Sequence, residues 1–217
     1  MTMQDVVFDI EVYRDYFLVA FMNVKTQKVK AFEMYPGHPL DVETISKIMT
    51  KYRVIGFNSI NYDLPILSLA LGGANCAACK RVSDMIIQNN ITARSMDIEL
   101  VPTNHVDLIE VAGRYASLKV YGGRLHCKKL QDLPIEPGDY CVNDLIVTRA
   151  LYLALERQIA LRESLSAQYN IDLRSKSDAQ IAENVIRAEV KRLSGRRVNV
   201  PDDQIGLRFK YLPPSFL

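Results

Sequence analysis

The sequence predicts an α/β fold with a mixed sheet flanked by helices, three antiparallel strands first and parallel strands after. Three observations lead to this. Apolar stretches at residues 6–12, 16–21 and 29–34 are separated by short polar turns, the pattern of an antiparallel meander. A helical period over residues 41–51 then precedes a short buried run at 54–57, and a helix between buried strands is the crossover that sets strands parallel. Finally, 217 residues with 48% hydrophobic content suffice for a sizeable core and argue against disorder.

Composition excludes some classes of function. The apolar runs fall far short of a membrane span, and Met1-Thr2-Met3-Gln4-Asp5 lacks the basic start of a secretory signal. Four cysteines without a disulfide framework suit a reducing cytosol. A cytoplasmic protein is therefore expected, with no membrane partner. The net charge of +2 is too small to declare a partner, although a local basic patch can still serve a nucleic-acid protein.

The chain is organised around Val6-Val7-Phe8-Asp9-Ile10-Glu11-Val12. Side chains two apart on a strand share a face, so Asp9 and Glu11 lie together on a buried strand. There they repel each other and lose hydration. A divalent cation with oxygen ligands is one remedy. Pairing to arginine or capping a loop is the structural alternative.

Further along, Asp41 can cap a helix to about Lys51, with Val42, Ile45, Ile48 and Met49 on one face. The stretch Gly56-Phe57-Asn58-Ser59-Ile60-Asn61-Tyr62-Asp63-Leu64-Pro65 runs from a strand into a helix. Pro65 falls in the first turn, and Asp63, read alone, is an N-cap. Gly72-Gly73 stops this helix. Another runs from Asn75 to about Gln88 with Ala78, Val82, Met85 and Ile86 inward. Cys76 and Cys79 read as buried thiols rather than as half of a zinc site. Residues 91–104 read as a loop or short strands, and residues 105–111 as one more strand. Asp107 is a fifth acid whose favoured reading is a strand-end residue bonded to nearby backbone. Residues 113–134 are irregular and helical by turns.

Pro137-Gly138 breaks the chain, and Asp139 can cap a long helix reaching Tyr169. Leu145, Thr148, Leu151, Leu155 and Ile159 line one flank. Tyr140 and Asp144 are four apart and share another. Taken alone, they are a helix-start tyrosine and a surface acid. From Asn170 the character changes, dividing the chain into residues 1–170 and a C-terminal segment, 171–217. Ser177-Asp178-Ala179-Gln180 is a capping box opening a helix to about Leu193. Arg174, Lys176, Arg187, Lys191, Arg192, Arg196 and Arg197 cluster around it, and such a cluster is more often a solvated face than a DNA site. Residues 198–217, with Pro201, Pro213 and Pro214, read as an extended tail that links to or leans on something else.

Three of these stretches, taken in order, form a pattern. Asp9-x-Glu11, Asn58-x-x-x-Tyr62-Asp63 and Tyr140-x-x-x-Asp144 resemble the three motifs of DnaQ-like 3′–5′ exonucleases. The match is closest to the proofreading domains of DNA polymerases, and the second motif looks like that of family-B enzymes. The wider sequence is similar to bacteriophage DNA polymerase N-terminal regions, over roughly residues 5–195. The histidine variant of the family has its base five positions before the last acid, where this chain has Asp139. Tyr140, four before Asp144, marks the tyrosine (DEDDy) variant.

The resemblance implies a ribonuclease H-like fold and an exonuclease that removes nucleotides from DNA 3′ ends, proofreading for a polymerase. It implies two metal ions, Mg²⁺ or Mn²⁺, clamping the attacking and leaving oxygens. Asp9 bridges them, Glu11 and Asp144 complete the nucleophile-side ion, and Asp63 holds the other, partly through water. Tyr140 orients the attacking water, since a tyrosine with a pKa near 10 is a poor base at neutral pH. Asn58, Tyr62 and Val12 grip the last nucleotides. Expected partners are single-stranded DNA 3′ ends and a polymerase domain or subunit, in the host cytoplasm if the source is a phage. No polymerase palm is visible, so the expectation is either a domain cut from a polymerase or a separate subunit. An exoribonuclease of the same superfamily and a non-catalytic nucleic-acid-binding module are the rival readings.

Overall fold

The computed structural model describes residues 4–89, 91–113, 116–128 and 137–195. Residues 198–217, Arg196 and Arg197 lie outside them, as do Lys129 and the rest of the stretch up to Pro134.

Five strands form one mixed sheet in the order β3-β2-β1-β4-β5. They are β1 (Asp5–Val12), β2 (Phe17–Asn23), β3 (Val29–Met34), β4 (Arg53–Gly56) and β5 (Asn104–Asp107). The first three pair antiparallel, with Val12 opposite Phe17 and Phe17 opposite Met34. The other two run parallel to β1, with Val7 beside Ile55 and Gly56 beside Asp107. The α/β class, the meander and the parallel crossover thus stand as expected.

Alternation along β1 divides the core. Val6, Phe8 and Ile10 face one side with Phe17, Phe21, Ile45 and Leu67. That side is covered by α1 (Val42–Lys51), α2 (Asp63–Leu71) and α3 (Cys76–Asn89). Val7 faces the other side with Leu18, Ile55, Val106 and Leu145. There α5 (Leu118–Arg124) and α6 (Pro137–Ala154) pack, and α6 continues into α7 (Glu156–Tyr169). The final helix, α8 (Asp178–Ser194), opens with the expected capping box, in which Ser177 accepts from Gln180 N and Gln180 answers to the Ser177 backbone.

Several local expectations need correction. The expected strand over 105–111 ends at Asp107, and Leu108–Val111 is a single helical turn, α4. The Asp107 carboxylate accepts from Ile109 N at 3.1 Å and so starts that turn as its N-cap. The long helix from 139 to 169 is two helices, broken at Leu155, whose φ −101° and ψ 7° leave the helical region. It begins at Pro137, a residue pre-set for the first helical position, which puts Asp139 inside the first turn rather than at the cap. Tyr62, not Asp63, occupies the cap position of α2, and Asp63 is the first helical residue. On α3 the expected Val82 and Ile86 do pack against the core, but Met85 is exposed, and Cys76, Cys79 and Ser83 are the residues fully buried. Val42 is likewise exposed. The basic residues around α8 are largely in ion pairs, Arg187 with Glu183, Arg192 with Glu189 and Arg174 with Asp172.

One polar cluster joins the layers at the start of β1 and β4. Arg53 donates to both oxygens of Asp5, at 2.8 and 2.7 Å, and to the Tyr152 hydroxyl at 2.6 Å. It also pairs with Glu163. Two parallel strands, α6 and α7 are thereby tied at a single guanidinium. No helix among the described residues is long and apolar enough to cross a membrane.

At the other end of β4 the chain turns so tightly that Gly56 has no room for a side chain. A Cβ there would stand 2.3 Å from Ser59 Oγ and 2.8 Å from the Phe8 ring. Overpacking of this kind costs about 1–3 kcal/mol. Gly56→Ala is therefore expected to lower the thermal midpoint by several degrees, read by differential scanning calorimetry. An unchanged midpoint contradicts the packing described here.

Candidate active site

Pairing between β1 and β4 stops at Val7 and Ile55. Beyond it β1 runs on while β4 turns away at Gly56, which opens a crevice at the carboxyl ends of the parallel strands. This is where the strand order reverses, and open α/β sheets place ligands at such a point. A cleft of ≈ 690 Å³ lies here, and Asp9, Glu11, Val12, Asn58, Tyr62, Asp63, Tyr140 and Asp144 all line it. Every residue singled out from the three sequence stretches thus reaches one space, from three separate elements.

Each carboxylate is placed by a different local device. Asp9 and Glu11 follow Val7 on the α6 side of the sheet by strand alternation. Asp63 is buried, at the first turn of α2. The backbone N–H groups of Asp63 itself and of Ile10 on β1 partly offset the rise in its pKa. Asp144 projects from the flank of α6, whose Cys141, Leu145 and Thr148 are buried against the sheet. Tyr140, one turn earlier, shares that flank.

The loop between β4 and α2 is held by Asp107. One carboxylate oxygen accepts from Asn58 N at 2.8 Å and the other from Ile60 N at 2.9 Å. Asp107 is thus a strand-end acid bonded to backbone, as its favoured reading had it. Asn58 sits in the left-handed region at φ 57°, which asparagine tolerates better than most residues. Its Oδ1 accepts from Asn61 Nδ2 at 2.9 Å. Ser59 Oγ and His105 Nε2 meet at 2.9 Å beneath the loop. The Tyr62 hydroxyl is engaged with Ser83 Oγ at 2.8 Å, so its ring, rather than its oxygen, is what it offers the cleft.

Sequence reasoning passed over two contributors. Cys141 is wholly buried, and its Sγ donates to the Asp9 carbonyl at 3.7 Å. Ligand atoms of Asp9, Glu11 and Cys141 lie within 4.8 Å of one another. Tyr13 also lines the cleft, with its hydroxyl beside Glu11. Tyr13 continues the alternation of Asp9 and Glu11, which was the available signal. Cys141 had one too, since it is next to Tyr140 on the helix, but its inward direction depends on the packing of α6.

The electrostatics are those of crowded acids. Burial, then Asp63, Asp144 and Glu11, push the Asp9 carboxyl well above the ordinary carboxylate range. Burial and then Asp144 push Glu11 up to about 7. Burial and then Asp107 push Asp63 up to about 8. Burial raises Asp144. Tyr140 is raised by burial and then by Asp144, Glu11 and Asp9, so its hydroxyl stays protonated. Arginine pairing, the structural alternative for Asp9 and Glu11, is not what faces them: no arginine or lysine lines this cleft among the described residues. The carboxylates of Asp9, Glu11, Asp63 and Asp144, which line the cleft with the Cys141 thiol beside the first two, would suit a hard divalent cation such as Mg²⁺ or Mn²⁺.

These raised values give stability a definite pH dependence without added metal. At low pH the carboxyls are protonated whether the chain is folded or not. As pH rises past the ordinary values of 4.5 for Glu11 and 3.8 for Asp63, the unfolded chain ionises first. Stability is then lost until the folded groups ionise, near 7 and 8 respectively. The thermal midpoint of chelated protein should therefore fall by several degrees from about pH 4 to about pH 8. Asp63→Asn should flatten this slope, and Mn²⁺ should raise the midpoint at the upper pH far more than at the lower. A slope unaltered by Asp63→Asn contradicts the charge assignment. No known family model, curated protein or solved structure matches the chain.

Proposed function

We propose that the chain is a two-metal-ion 3′–5′ exonuclease acting on single-stranded DNA ends, of the DnaQ-like tyrosine type on a ribonuclease H-like sheet, and that it proofreads for a polymerase domain or subunit. One observation carries this reading. Four acids and a tyrosine from β1, α2 and α6, matching three ordered sequence motifs, meet in one cleft whose carboxyls are held above their ordinary range. A merely structural cluster of acids would be paired with cations of the protein. This one is open to the solvent side of a cleft with room for a terminal nucleotide.

Asp9, Glu11, Asp63 and Asp144 would hold the ions. When bound, such ions lower the pKa of water and stabilise both the attacking and leaving oxygens of an in-line displacement. The remaining work falls to the chain. Tyr140, kept protonated, hydrogen-bonds the attacking water and fixes its direction. Asn58, Tyr62 and Val12 form the walls that hold the terminal nucleotide. Attack of water on the scissile phosphorus breaks the bond to the 3′-oxygen and releases a 5′-mononucleotide, leaving a strand one nucleotide shorter. An unpaired end enters such a site at less cost, because no base pairs have to open.

End-labelled single-stranded DNA, mispaired duplex and RNA provide the test. Single-stranded DNA should shorten from its 3′ end with Mg²⁺ or Mn²⁺, faster than paired duplex, and Asp9→Ala should abolish the activity without unfolding the protein. Digestion that persists in EDTA, or that starts from 5′ ends, would sink the proposal. Comparable rates on RNA would move it to the exoribonuclease of the same class.

A second measurement separates the two residues on α6. Tyr140→Phe removes the hydroxyl and should slow single-turnover hydrolysis by about ten- to ten-thousand-fold while leaving Mn²⁺ affinity intact. Asp144→Ala should weaken Mn²⁺ binding and cost more. If Tyr140→Phe loses metal as badly as Asp144→Ala, or keeps full activity, this division of labour is wrong.

A further inference from the structure

A second cleft, of ≈ 620 Å³, lies at the same end of the sheet as the acids. The strand register places it. Val12 of β1 stands opposite Phe17 of β2, and Phe17 opposite Met34 of β3. The segment that follows Met34 is thus two strands across from the mouth of the first cleft, about 10 Å by sheet spacing. The first cleft takes in the α6 side of the sheet and the second, lined by Met34, Leu40 and Ala70, the α1–α3 side; the turn between β1 and β2 stands between them, with Tyr13 lining the first and Arg14 and Asp15 the second.

The far wall of the second cleft is an aromatic stack. Tyr35 and His38 lie with ring centroids 4.6 Å apart and planes 10° apart. Both are exposed, Tyr35 by 43%. They close a two-residue turn through Pro36 and Gly37, with Tyr35 N donating to His38 O at 3.1 Å and His38 N to Tyr35 O at 2.8 Å. Gly37 takes φ 84°, a conformation that other residues rarely adopt. Two rings held parallel by a clamped turn offer a pre-formed flat face. An exposed stack contributes little to the core, whereas a flat face costs little to order when a base lies on it. The exposed Arg14 stands with Asp15 on the turn between the clefts, a cation beside the path that a phosphate backbone would take over that turn.

We propose that Tyr35 and His38, with Arg14, form a base-stacking platform that carries single-stranded nucleic acid away from the acidic cleft, several nucleotides upstream of its 3′ end. This rests on the reading of the first cleft as an exonuclease site. A stacking platform binds any base by its π-face, so it adds affinity for long strands without adding sequence preference. A strand too short to span from the first cleft to the second gains nothing from it.

The test compares a trinucleotide with a dodecanucleotide of oligothymidylate. Binding to the full chain is read by fluorescence anisotropy in Ca²⁺, and turnover in Mn²⁺. Tyr35→Ala should weaken dodecanucleotide binding by roughly ten-fold, as loss of one base–aromatic stack does. It should raise KM for the dodecanucleotide much more than for the trinucleotide. Tyr35→Phe should restore most of the loss, which separates stacking from any role of the hydroxyl, and His38→Ala should share the length-dependent defect with an unchanged thermal midpoint. Equal losses on both lengths, or no loss on either, overturn the platform. Length-dependent loss of binding in a protein that hydrolyses neither oligonucleotide overturns the exonuclease reading and leaves the platform standing.

Discussion

Everything in this molecule is arranged around carboxylates that repel one another. Asp9 and Glu11 cannot move apart, because β1 is held between an antiparallel partner along its whole length and a parallel one at its start. Asp63 cannot withdraw, because it is buried where α2 begins. Asp144 is fixed by a helix whose neighbouring residues are sunk in the core. The sheet and two helices therefore confine negative charge at the expense of stability. Such a trade makes physical sense where a cation is to be bound, since ligands that need no rearrangement hold an ion most tightly.

The loop between β4 and α2 shows how far this confinement extends. Its left-handed Asn58 is kept in place from β5 by a buried carboxylate, Asp107. Asp107 in turn donates its own N–H to Ser175 Oγ at 2.9 Å. Leu173 beside it is fully buried, and Arg174 reaches Asn104 on β5. The segment leading into α8 is thus packed against the strand that supports the cleft loop. A change in how that segment is held would reach Asn58 through two hydrogen bonds, Ser175 to Asp107 and Asp107 to Asn58.

Much of this was legible in the sequence, and the failures have physical causes. Period-two alternation put Asp9 and Glu11 on one face, and the i, i+4 spacing did the same for Tyr140 and Asp144, because both depend only on local geometry. The capping box at Ser177 is equally local. What could not be read is non-local or degenerate. The break at Leu155 interrupts a stripe whose apolar spacing continues through it, from Leu151 to Ile159. The end of β5 at Asp107 is hidden because Leu108, Ile109 and Val111 suit a strand as well as a helix. The inward turn of Cys79 and Ser83 in place of Met85 is set by what α2 and β1 offer α3. Gly56 reads as an ordinary strand residue until Ser59 and Phe8 are seen to fill its space.

The Arg53 cluster gives α6 a pivot. Tyr152, near the helix's far end, is pinned by Arg53 and Asp5 at 2.6 and 2.7 Å, whereas Asp144 lies eight residues nearer the cleft, about 12 Å along the axis. An arm of that length turns small rotations into sizeable strokes: a swing of about 5° at the pivot carries Asp144 through about 1 Å. Ion coordination tolerates roughly ±0.2 Å. One guanidinium cluster, at the opposite end of the sheet's length from the acids, therefore works together with the buried residues around Asp144 in keeping that carboxylate's aim.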